Sequence, residues 1–328
     1  MSAARDALAY GYRFVLPEHD TVARLMDKMD FTLLALERGL PIPPTFVLRS
    51  RDDAVTAASQ LSWPAVVKPD LKTPRWFANT SKKAIVVDSP SELLELYARA
   101  AGWADALVVQ AWIEGGEDEL ISFNGYFDRA GEPQATFIAR KIRQWPPETG
   151  TSSLGVEVRA DDVLAMSLDL FRDVGFRGLS YLEVKRDRRT GRPYIIEPNI
   201  GRPTGRSAIA EKGGVELLLT AHRDAFGEPL PEARTQTYRG VKWIYWRHDL
   251  QASAYAAAHG RLTPLAWWRS VRGPKFEAVF DRRDPGPFLG DLTYTAGAAV
   301  RAGSRLIRRA ATRTIRRAMG RPASARSD

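Results

Sequence analysis

Short apolar strand patterns alternate with amphipathic helical patterns over residues 27–200 of this 328-residue chain. Apolar residues recur at helical spacing in 27–40 and 161–174, whereas the intervening apolar runs are short enough for strands. Two pairs of strand patterns are separated by short turns, which predicts antiparallel hairpins: 120–128 with 134–140, and 179–186 with 193–198. The pattern predicts an α/β or α+β fold with a mixed sheet.

The composition excludes several classes of protein. The chain has no cysteine, which rules out a disulfide framework, a thiolate zinc site, an iron–sulfur cluster and a cysteine nucleophile. No apolar run approaches the roughly 20 residues of a membrane-spanning helix. The first residues also lack the basic-then-apolar pattern of a secretory signal. We therefore expect a globular cytoplasmic protein.

The positive charge of the chain is concentrated at its C-terminal end. The formal charge is +9, and residues 301–328 contain nine arginines and one acid, so the preceding 300 residues are close to neutral. A fold that binds duplex nucleic acid normally spreads Lys and Arg over a docking face. We therefore do not expect residues 1–300 to bind nucleic acid. Nucleic-acid binding through the tail alone ranks third among the hypotheses for this chain.

The tail itself has an amphipathic pattern. On a helical wheel over 300–319, Val300, Ile307 and Ile315 share one face with alanines, and arginines occupy the other. This is the pattern of an interfacial helix on anionic lipid, which would place the protein at the inner membrane surface. A disordered solubilising tail fits the same residues, and the sequence leaves both interpretations open.

Several familiar motifs are absent from the sequence. There is no GxxxxGK[ST] phosphate loop, no GxGxxG after a strand and no GxSxG elbow. The four histidines are isolated and show no metal-ligand spacing. What remains is a set of carboxylates and lysines near the ends of predicted strands.

Two acids, Glu183 and Glu197, lie on the two strands of the second predicted hairpin, with Asn199 two residues beyond the second. Strand alternation places Glu197 and Asn199 on one face, and a hairpin register can bring Glu183 opposite them. Three oxygen donors at one place suit Mg²⁺, which usually binds together with substrate phosphates. Taken alone, the same residues also fit an ordinary solvated hairpin face.

Two lysines and an acidic loop are weaker candidates. Lys68 ends a buried strand, where it would offer a fixed positive charge to a phosphate or snorkel into water. Lys28 opens a helix, where a solvated side chain is the ordinary expectation. The apolar run 108–113 would be a strand whose backbone edge forms hydrogen bonds with a purine, and Glu117 would accept hydrogen bonds from a ribose. A plain strand followed by an acidic turn is the alternative.

Taken in their order along the chain, these residues resemble the ATP-grasp superfamily. Its opening helix and proline-rich strand resemble DKMDFTLLALERGLPIPPT, its phosphate-lysine strand WPAVVKP and its adenine hinge VVQAWIEGGEDE. Its metal hairpin resembles LEVKRD and YIIEPN. Bacterial carboxylate–amine ligase members are similar in RKIRQWPPETGTSS, GVKWIYW and DPGPFL. The resemblance covers about residues 21–289.

The resemblance implies a role for each matching residue. The two lysines that hold the ATP phosphates would be Lys28 and Lys68. The adenine hinge would be Gln110, Ala111, Trp112 and Ile113, with Glu117 as the ribose acid. The ligands of Mg²⁺, or of Mn²⁺ as an alternative ion, would be Glu183, Glu197 and Asn199. The residues that hold an acyl phosphate or anionic substrate would be Arg140, Lys141 and Arg143, and Arg202 would stabilise transition-state charge.

The sequence departs from the family pattern in three places. Residues 71–83 replace the usual glycine-rich loop, so a phosphate lid would use side chains such as Thr80, Ser81 and Lys82. The usual Asn-x-Arg is extended by one residue between Asn199 and Arg202. Only a short lead precedes the opening helix, so the N-terminal nucleotide-fold domain of the family is expected to be absent, truncated or supplied by a partner.

The resemblance thus implies an ATP-grasp fold, in which two α+β subdomains with mixed or antiparallel sheets grip ATP. It implies a Mg-ATP-dependent ligase that joins a carboxylate to an amine through an acyl phosphate, in cell-surface polysaccharide or peptide modification. An ATP-binding regulatory or scaffold protein without turnover is the alternative, and a homodimer is compatible with either. The expected parts are a lead (1–20), two subdomains (21–108 and 109–234), a covering segment (235–292) and a tail (293–328).

Overall fold

The computed structural model describes residues 2–71, 73–82, 84–147, 150–205, 207–295 and 297. The arginine-rich stretch 301–328 lies outside these residues, and so does the whole amphipathic pattern over 300–319. Both interpretations of the tail therefore stay predictions.

The helices of the described part are labelled in chain order. The N-terminal ones are α1 (Arg5–Ala9), α2 (His19–Met26), α3 (Lys28–Glu37), α4 (Arg51–Gln60), α5 (Pro74–Asn79) and α6 (Pro90–Ala100). Those that follow are α7 (Asp161–Asp173), α8 (Ser207–Lys212), α9 (Leu217–Phe226), α10 (Trp246–Ala258) and α11 (Pro264–Val271). A further helical stretch covers 286–295.

The strands belong to two sheets. The first sheet contains β1 (Thr45–Leu48), β2 (Ala65–Pro69), β3 (Ile85–Val87) and β4 (Leu107–Ala111). The second contains β5 (Leu120–Phe127), β6 (Pro133–Trp145), β7 (Thr151–Glu157), β8 (Gly178–Arg186), β9 (Pro193–Ile200), β10 (Lys242–Ile244) and β11 (Lys275–Glu277).

Both sheets are mainly antiparallel. The small sheet has the order β1-β4-β2-β3, and the large sheet has the order β11-β10-β7-β6-β5-β8-β9. The one parallel pair recorded in the described chain joins β10 to β11. This confirms the predicted α+β class with mixed and antiparallel sheets. Strand β4 runs across the subdomain boundary expected at 108/109.

Two helices cover one face of the small sheet. Helix α4 begins with a capping box, in which Ser50 accepts from the Asp53 amide and the Asp53 carboxylate accepts from the Ser50 amide. In α6, Leu93, Leu96 and Ala100 follow helical spacing and are buried against the sheet. Lys68 alternates with the buried residues of β2 and therefore lies on the opposite, uncovered face.

The large sheet is covered on both faces. On one face Phe123, Ile138 and Leu182 form a core with α3 and α7. On the other face Phe137 and Ala139 pack against α8 and α9. Odd-numbered residues of β8 point to this second face, which we call the site face because Glu183 lies on it.

The structure adds elements that the sequence pattern did not predict. Strand β7 lies between β6 and β10, although its polar start at Thr151 is not typical of an interior strand. Helix α5 occupies part of the expected lid loop and is capped by Thr73, with Pro74 at its first position. The covering segment extends the large sheet through β10 and β11. No helix of the described residues is long and apolar enough to cross a membrane.

Candidate active site

Glu183 on β8 is directly opposite Glu197 on β9. This pairing depends on a β-bulge, because Val184 pairs with Ile195 and the extra residue Ile196 shifts the register before Glu197. In a regular strand Ile195, Glu197 and Asn199 would share one face. The bulge leaves Ile195 in the core and puts Glu197 and Asn199 on the site face with Glu183.

The carboxylate of Glu183 is surrounded by polar groups of neighbouring strands. The Tyr181 hydroxyl donates to Glu183 Oε2 over 3.1 Å, and Lys141 Nζ lies 3.8 Å from the same oxygen. Lys141 is only 4% exposed and donates to Gln144 Oε1 over 2.8 Å. A buried ammonium needs such partners, so Lys141 is held in place beside the acid.

Glu197 contacts the opening helix. Its Oε2 lies 3.0 Å from Lys28 Nζ, and its Oε1 accepts from Asn199 Nδ2 at 3.4 Å. Asp27 caps α3 by accepting from the amides of Met29 and Asp30, which makes Lys28 the first helical residue. The structure thus brings together one predicted phosphate lysine and two predicted metal ligands.

The donor set fits a magnesium ion. Side chains of directly opposite strand residues are neighbours, so the Glu183 and Glu197 carboxylates could share one cation, and the Asn199 amide could supply a neutral oxygen if its nitrogen turned away. No group of three or more His, Cys, Asp or Glu residues suited to a metal occurs among the described residues. The predicted site would therefore use water or substrate oxygens for its remaining ligands, as Mg²⁺ usually does.

The second phosphate lysine lies on the small sheet. Lys68 Nζ donates to Gln110 Oε1 over 3.0 Å, and Gln110 Nε2 donates to Thr45 Oγ1 over 3.0 Å. Thr45 in turn donates to the carbonyl of Pro43. This relay fixes the direction of the lysine on the uncovered face of the small sheet.

Part of the hinge backbone is hydrogen-bonded to neighbouring segments of the chain. The amides of Ala111 and Trp112 donate to the carbonyls of Pro44 and Pro64, at 2.8 and 3.0 Å. Among the described residues the Ile113 amide has no hydrogen-bond partner. The proline-rich segments that flank β1 and β2 therefore position the hinge and leave one donor for a ligand.

A cavity of about 570 Å³ lies between the hinge and the C-terminal helices. Trp112 and Glu117 line one side, and Gln144 and Lys185 line another. Lys185 Nζ lies 5.2 Å from the centre of the Trp112 ring. The Glu117 carboxylate accepts from the Gln144 amide at 2.9 Å, which fixes its position in the cavity wall.

The sequence reasoning missed several residues of this region. Lys185 is two residues after Glu183, so strand alternation already placed it on the same face. Burial lowers the pKa of Lys185 below the ordinary lysine value. Tyr255 and Arg261 also line the cavity, but no sequence pattern connected them with the hinge. The buried Asn124 lies opposite Tyr181, and its Nδ2 has no partner among the described residues.

The three basic residues of β6 do not act as one group. Only Lys141 lies beside the carboxylates. Arg140 shares the face of Ile138, the core face, and its side chain is exposed. The Arg143 guanidinium is paired with the fully buried Asp249 and also donates to Ser270 Oγ over 2.7 Å. The substrate contacts predicted for the two arginines remain predictions.

The remaining predicted residues lie on loops. Ser81 and Lys82 follow α5, where the Lys82 carbonyl accepts from the indole of the buried Trp76 at 2.8 Å. Arg202 follows β9, is exposed, and has no hydrogen-bond or ion-pair partner in the described chain. A free guanidinium just beyond Asn199 is available to an anion.

Comparison with known proteins gives distant relatives. No family model matches the chain. It is 27% identical over 228 residues to a D-alanine–D-alanine ligase of Alkalilimnicola ehrlichii, covering 62% of this chain and 68% of that protein. It is 24% identical over 231 residues to the C-terminal section of a carbamoyl phosphate synthase large chain of Methanopyrus kandleri, covering 68% and 41%.

Solved structures show the same fold. A biotin carboxylase of Campylobacter jejuni in complex with β,γ-ATP superposes with a TM-score of 0.56 at 15% identity, covering 70% of this chain and 52% of that one. The biotin carboxylase domain of a Hydrogenobacter thermophilus 2-oxoglutarate carboxylase, which holds MgADP and bicarbonate, gives 0.52 at 18% identity with the same coverage. The chain spans about half the length of these two structures.

Proposed function

We propose that the chain is a Mg-ATP-dependent carboxylate–amine ligase of the ATP-grasp superfamily, which its distant similarity to a D-alanine–D-alanine ligase and its fold support. The observation that carries the proposal is the placement of Glu183 opposite Glu197, with Lys28 on the second carboxylate. These groups come from a hairpin and a distant helix, and no feature of the core requires them to meet.

The nucleotide base is proposed to bind at the hinge. The Ile113 amide is a donor for a purine nitrogen, and Trp112 and Lys185 line the adjoining cavity, whose 570 Å³ is large enough for a nucleoside. The fixed Glu117 carboxylate would accept hydrogen bonds from ribose hydroxyls. Gln110 and Ala111 support the hinge through their contacts with neighbouring strands.

The phosphates are proposed to lie between the two sheets. Lys68 from the small sheet and Lys28 from α3 supply positive charge, and Ser81, Lys82 and Thr80 would cover the phosphates from the 73–82 segment. Glu183, Glu197 and Asn199 would hold Mg²⁺, whose charge would offset the repulsion between ATP and an anionic substrate. Lys141 would act as a positioning residue through its contact with Glu183.

The proposed reaction has two steps that balance without a protein nucleophile. A carboxylate oxygen of the substrate attacks the γ-phosphorus, the bond to the β–γ bridging oxygen breaks, and ADP leaves. An amine nitrogen then attacks the acyl carbon, the bond to phosphate breaks, and the nitrogen loses a proton to solvent or to the departing phosphate. Arg202 is proposed to stabilise the charge of these intermediates, since its guanidinium is free in the described chain.

The substrate is proposed to be a carboxylic acid and an amine used in cell-surface polysaccharide or peptide modification. ATP consumption favours a cytoplasmic location.

Two observations favour the alternative of an ATP-binding protein without turnover. Arg143 is committed to Asp249, and Arg140 lies on the core face, so fewer cations than predicted face a substrate.

The test is ADP release by the purified protein with a matrix of carboxylic acids and amines. We expect release that requires both substrates and Mg²⁺, and a loss of at least about 100-fold in Glu197→Gln. Glu95→Gln, which changes an exposed acid on α6, serves as the matched control. Tight ATP binding without ADP release from any pair would favour the regulatory alternative, and full turnover in Glu197→Gln would disprove the proposed site.

A further inference from the structure

A second cavity, of about 500 Å³, has four arginines among its ten lining residues. It contains Arg5, Arg13, Arg129 and Arg177, and Asp6 is the one acid among its lining residues in the described chain. It lies at the end of the large sheet where β5 finishes and β8 begins. The hinge enters β5 at the opposite end.

The arginines come from separate parts of the chain. Arg5 belongs to α1, Arg13 to the extended segment that follows it, Arg129 to the β5–β6 turn, and Arg177 to the residue before β8. The extended segment lies directly on Gly178, since a Cβ atom there would be 2.3 Å from the Val15 carbonyl oxygen. The cavity is therefore formed by close backbone packing of the N-terminal segment on the sheet.

Three of the arginines are held in position by neighbouring groups. The Arg13 guanidinium lies 5.3 Å from the centre of the Phe226 ring, and Arg129 Nη2 donates to the Ala225 carbonyl over 3.2 Å. Both partners belong to the last turn of α9. Arg5 Nη1 lies 2.9 Å from Glu18 Oε1. Side chains fixed in this way lose less freedom when they bind a ligand.

Positive charge remains unbalanced at the cavity. Neither Arg13 nor Arg177 has a hydrogen-bond or ion-pair partner within the described chain. The negative C-terminal end of α9 accounts for the positions of Arg13 and Arg129. No hydrogen bond or ion pair within the described chain accounts for the position of Arg177. Guanidinium groups bind phosphate and carboxylate oxygens in a two-pronged geometry.

We propose that this cavity binds a small polyanion, a molecule with two or more phosphate or carboxylate groups. The proposal does not depend on the ligase function. Arg177 precedes Glu183 by six positions, so at a rise of roughly 3.3 Å per residue the two sites are about 20 Å apart. The polyanion is therefore distinct from the triphosphate proposed to lie between the sheets.

The test is calorimetric titration of the full chain with pyrophosphate and with citrate, without Mg²⁺ and at low salt. We expect micromolar to millimolar binding of at least one probe, about tenfold weaker in the double variant Arg13→Gln/Arg177→Gln. Arg282→Gln, an exposed arginine outside the cavity, should bind as the unmodified chain does. Binding should persist in Lys28→Gln, which separates this cavity from the ATP site.

The probes also identify the ligand class. Preference for pyrophosphate would indicate a phosphorylated ligand, and preference for citrate a polycarboxylate. The thermal melting of the double variant, followed by circular dichroism, must match that of the unmodified chain, and the single variant Arg177→Gln replaces it if it does not. Equal binding by the unmodified chain and a folded variant would overturn the proposal, as would binding of a nucleic-acid duplex but neither small probe.

Discussion

Arg143 and Asp249 form a two-pronged ion pair that joins β6 to α10. Arg143 Nε donates to Asp249 Oδ1 over 2.8 Å, and Nη2 donates to Oδ2 over 3.0 Å. The Trp267 indole donates to the same carboxylate at 3.2 Å. The pair attaches the C-terminal helices to the large sheet beside the 570 Å³ cavity, so it supports one wall of the proposed nucleotide site.

Asp249→Ala should destabilise the protein strongly. The substitution leaves the Arg143 guanidinium buried without its counter-charge, and breaking a buried pair in this way costs about 3–5 kcal/mol of unfolding free energy. Denaturant unfolding measures this loss. Asp105→Ala is the control, because the Arg75–Asp105 pair is exposed and should contribute less than about 1 kcal/mol. Equal stability losses in the two variants would contradict the structural role of Asp249.

Trp76→Ala should disrupt the 73–82 segment. Trp76 is fully buried, contacts Trp103 edge-on at 5.8 Å between ring centres, and donates to the Lys82 carbonyl. Truncating a buried tryptophan costs roughly 3–5 kcal/mol of unfolding free energy. Unfolding and ATP titration together test the variant, with Phe77→Ala as the exposed neighbour. If ATP affinity stayed unchanged in folded Trp76→Ala, the segment would have no part in phosphate binding.

His248 should make stability depend on pH. Burial lowers its pKa below 6.5, and the Arg247 charge lowers it further, while Asp291 acts in the opposite direction. The unfolded chain then takes up a proton at a higher pH than the folded chain does. Stability is therefore complete above the unfolded pKa and declines as pH falls through about 6.5 towards the folded value.

The measurement is the free energy of unfolding between pH 8 and pH 5 for His248→Gln and the unmodified chain. We expect the decline to be smaller in His248→Gln. His19→Gln, which removes an exposed imidazole, should leave the decline unchanged. A pH dependence identical in all three proteins would show that His248 titrates alike in both states.

Lys28→Gln should weaken ATP binding with little effect on folding. The Lys28–Glu197 pair is exposed, with side-chain exposures of 61% and 40%, so its loss should cost under about 1 kcal/mol of stability. Loss of a charge-assisted contact to phosphate should raise the Kd of MgATP about tenfold. Titration with a non-hydrolysable ATP analogue tests this, and Lys275→Gln is the exposed control. An unchanged Kd would remove Lys28 from the phosphate site.

Local patterns were sufficient to predict much of the fold. Helical spacing located α3 and α7, and strand patterns with short turns located the β5–β6 and β8–β9 hairpins, because each is determined by residues close in sequence. Strand β7 was missed because it begins with Thr151-Ser152-Ser153, and tertiary packing, not propensity, makes it an interior strand. Helix α5 was missed because a single buried tryptophan anchors a short segment that otherwise resembles a loop.

At the site, the sequence could not predict contacts between residues that are far apart in the chain. Alternation predicted that Glu197 and Asn199 share a face, but the bulge that separates them from Ile195 has no local signal. The partner of Arg143 is 106 residues away, so nothing near β6 indicated that its charge is already matched. The resemblance supplied roles for Lys28 and Lys68, whereas their contacts with Glu197 and Gln110 required the folded chain.

The bulge at Ile196 also determines which changes the hairpin can tolerate. Replacing Ile196 by another residue leaves one residue between Ile195 and Glu197, so both side chains keep their faces. Deleting it would give a regular strand in which Ile195 still pairs with Val184 and Glu197 still pairs with Glu183, so both side chains would keep their faces. The acid pair therefore depends on Ile196 staying outside the ladder, because a change that drew Ile196 into regular pairing would turn Glu197 and Asn199 towards the core or expel Ile195 from it.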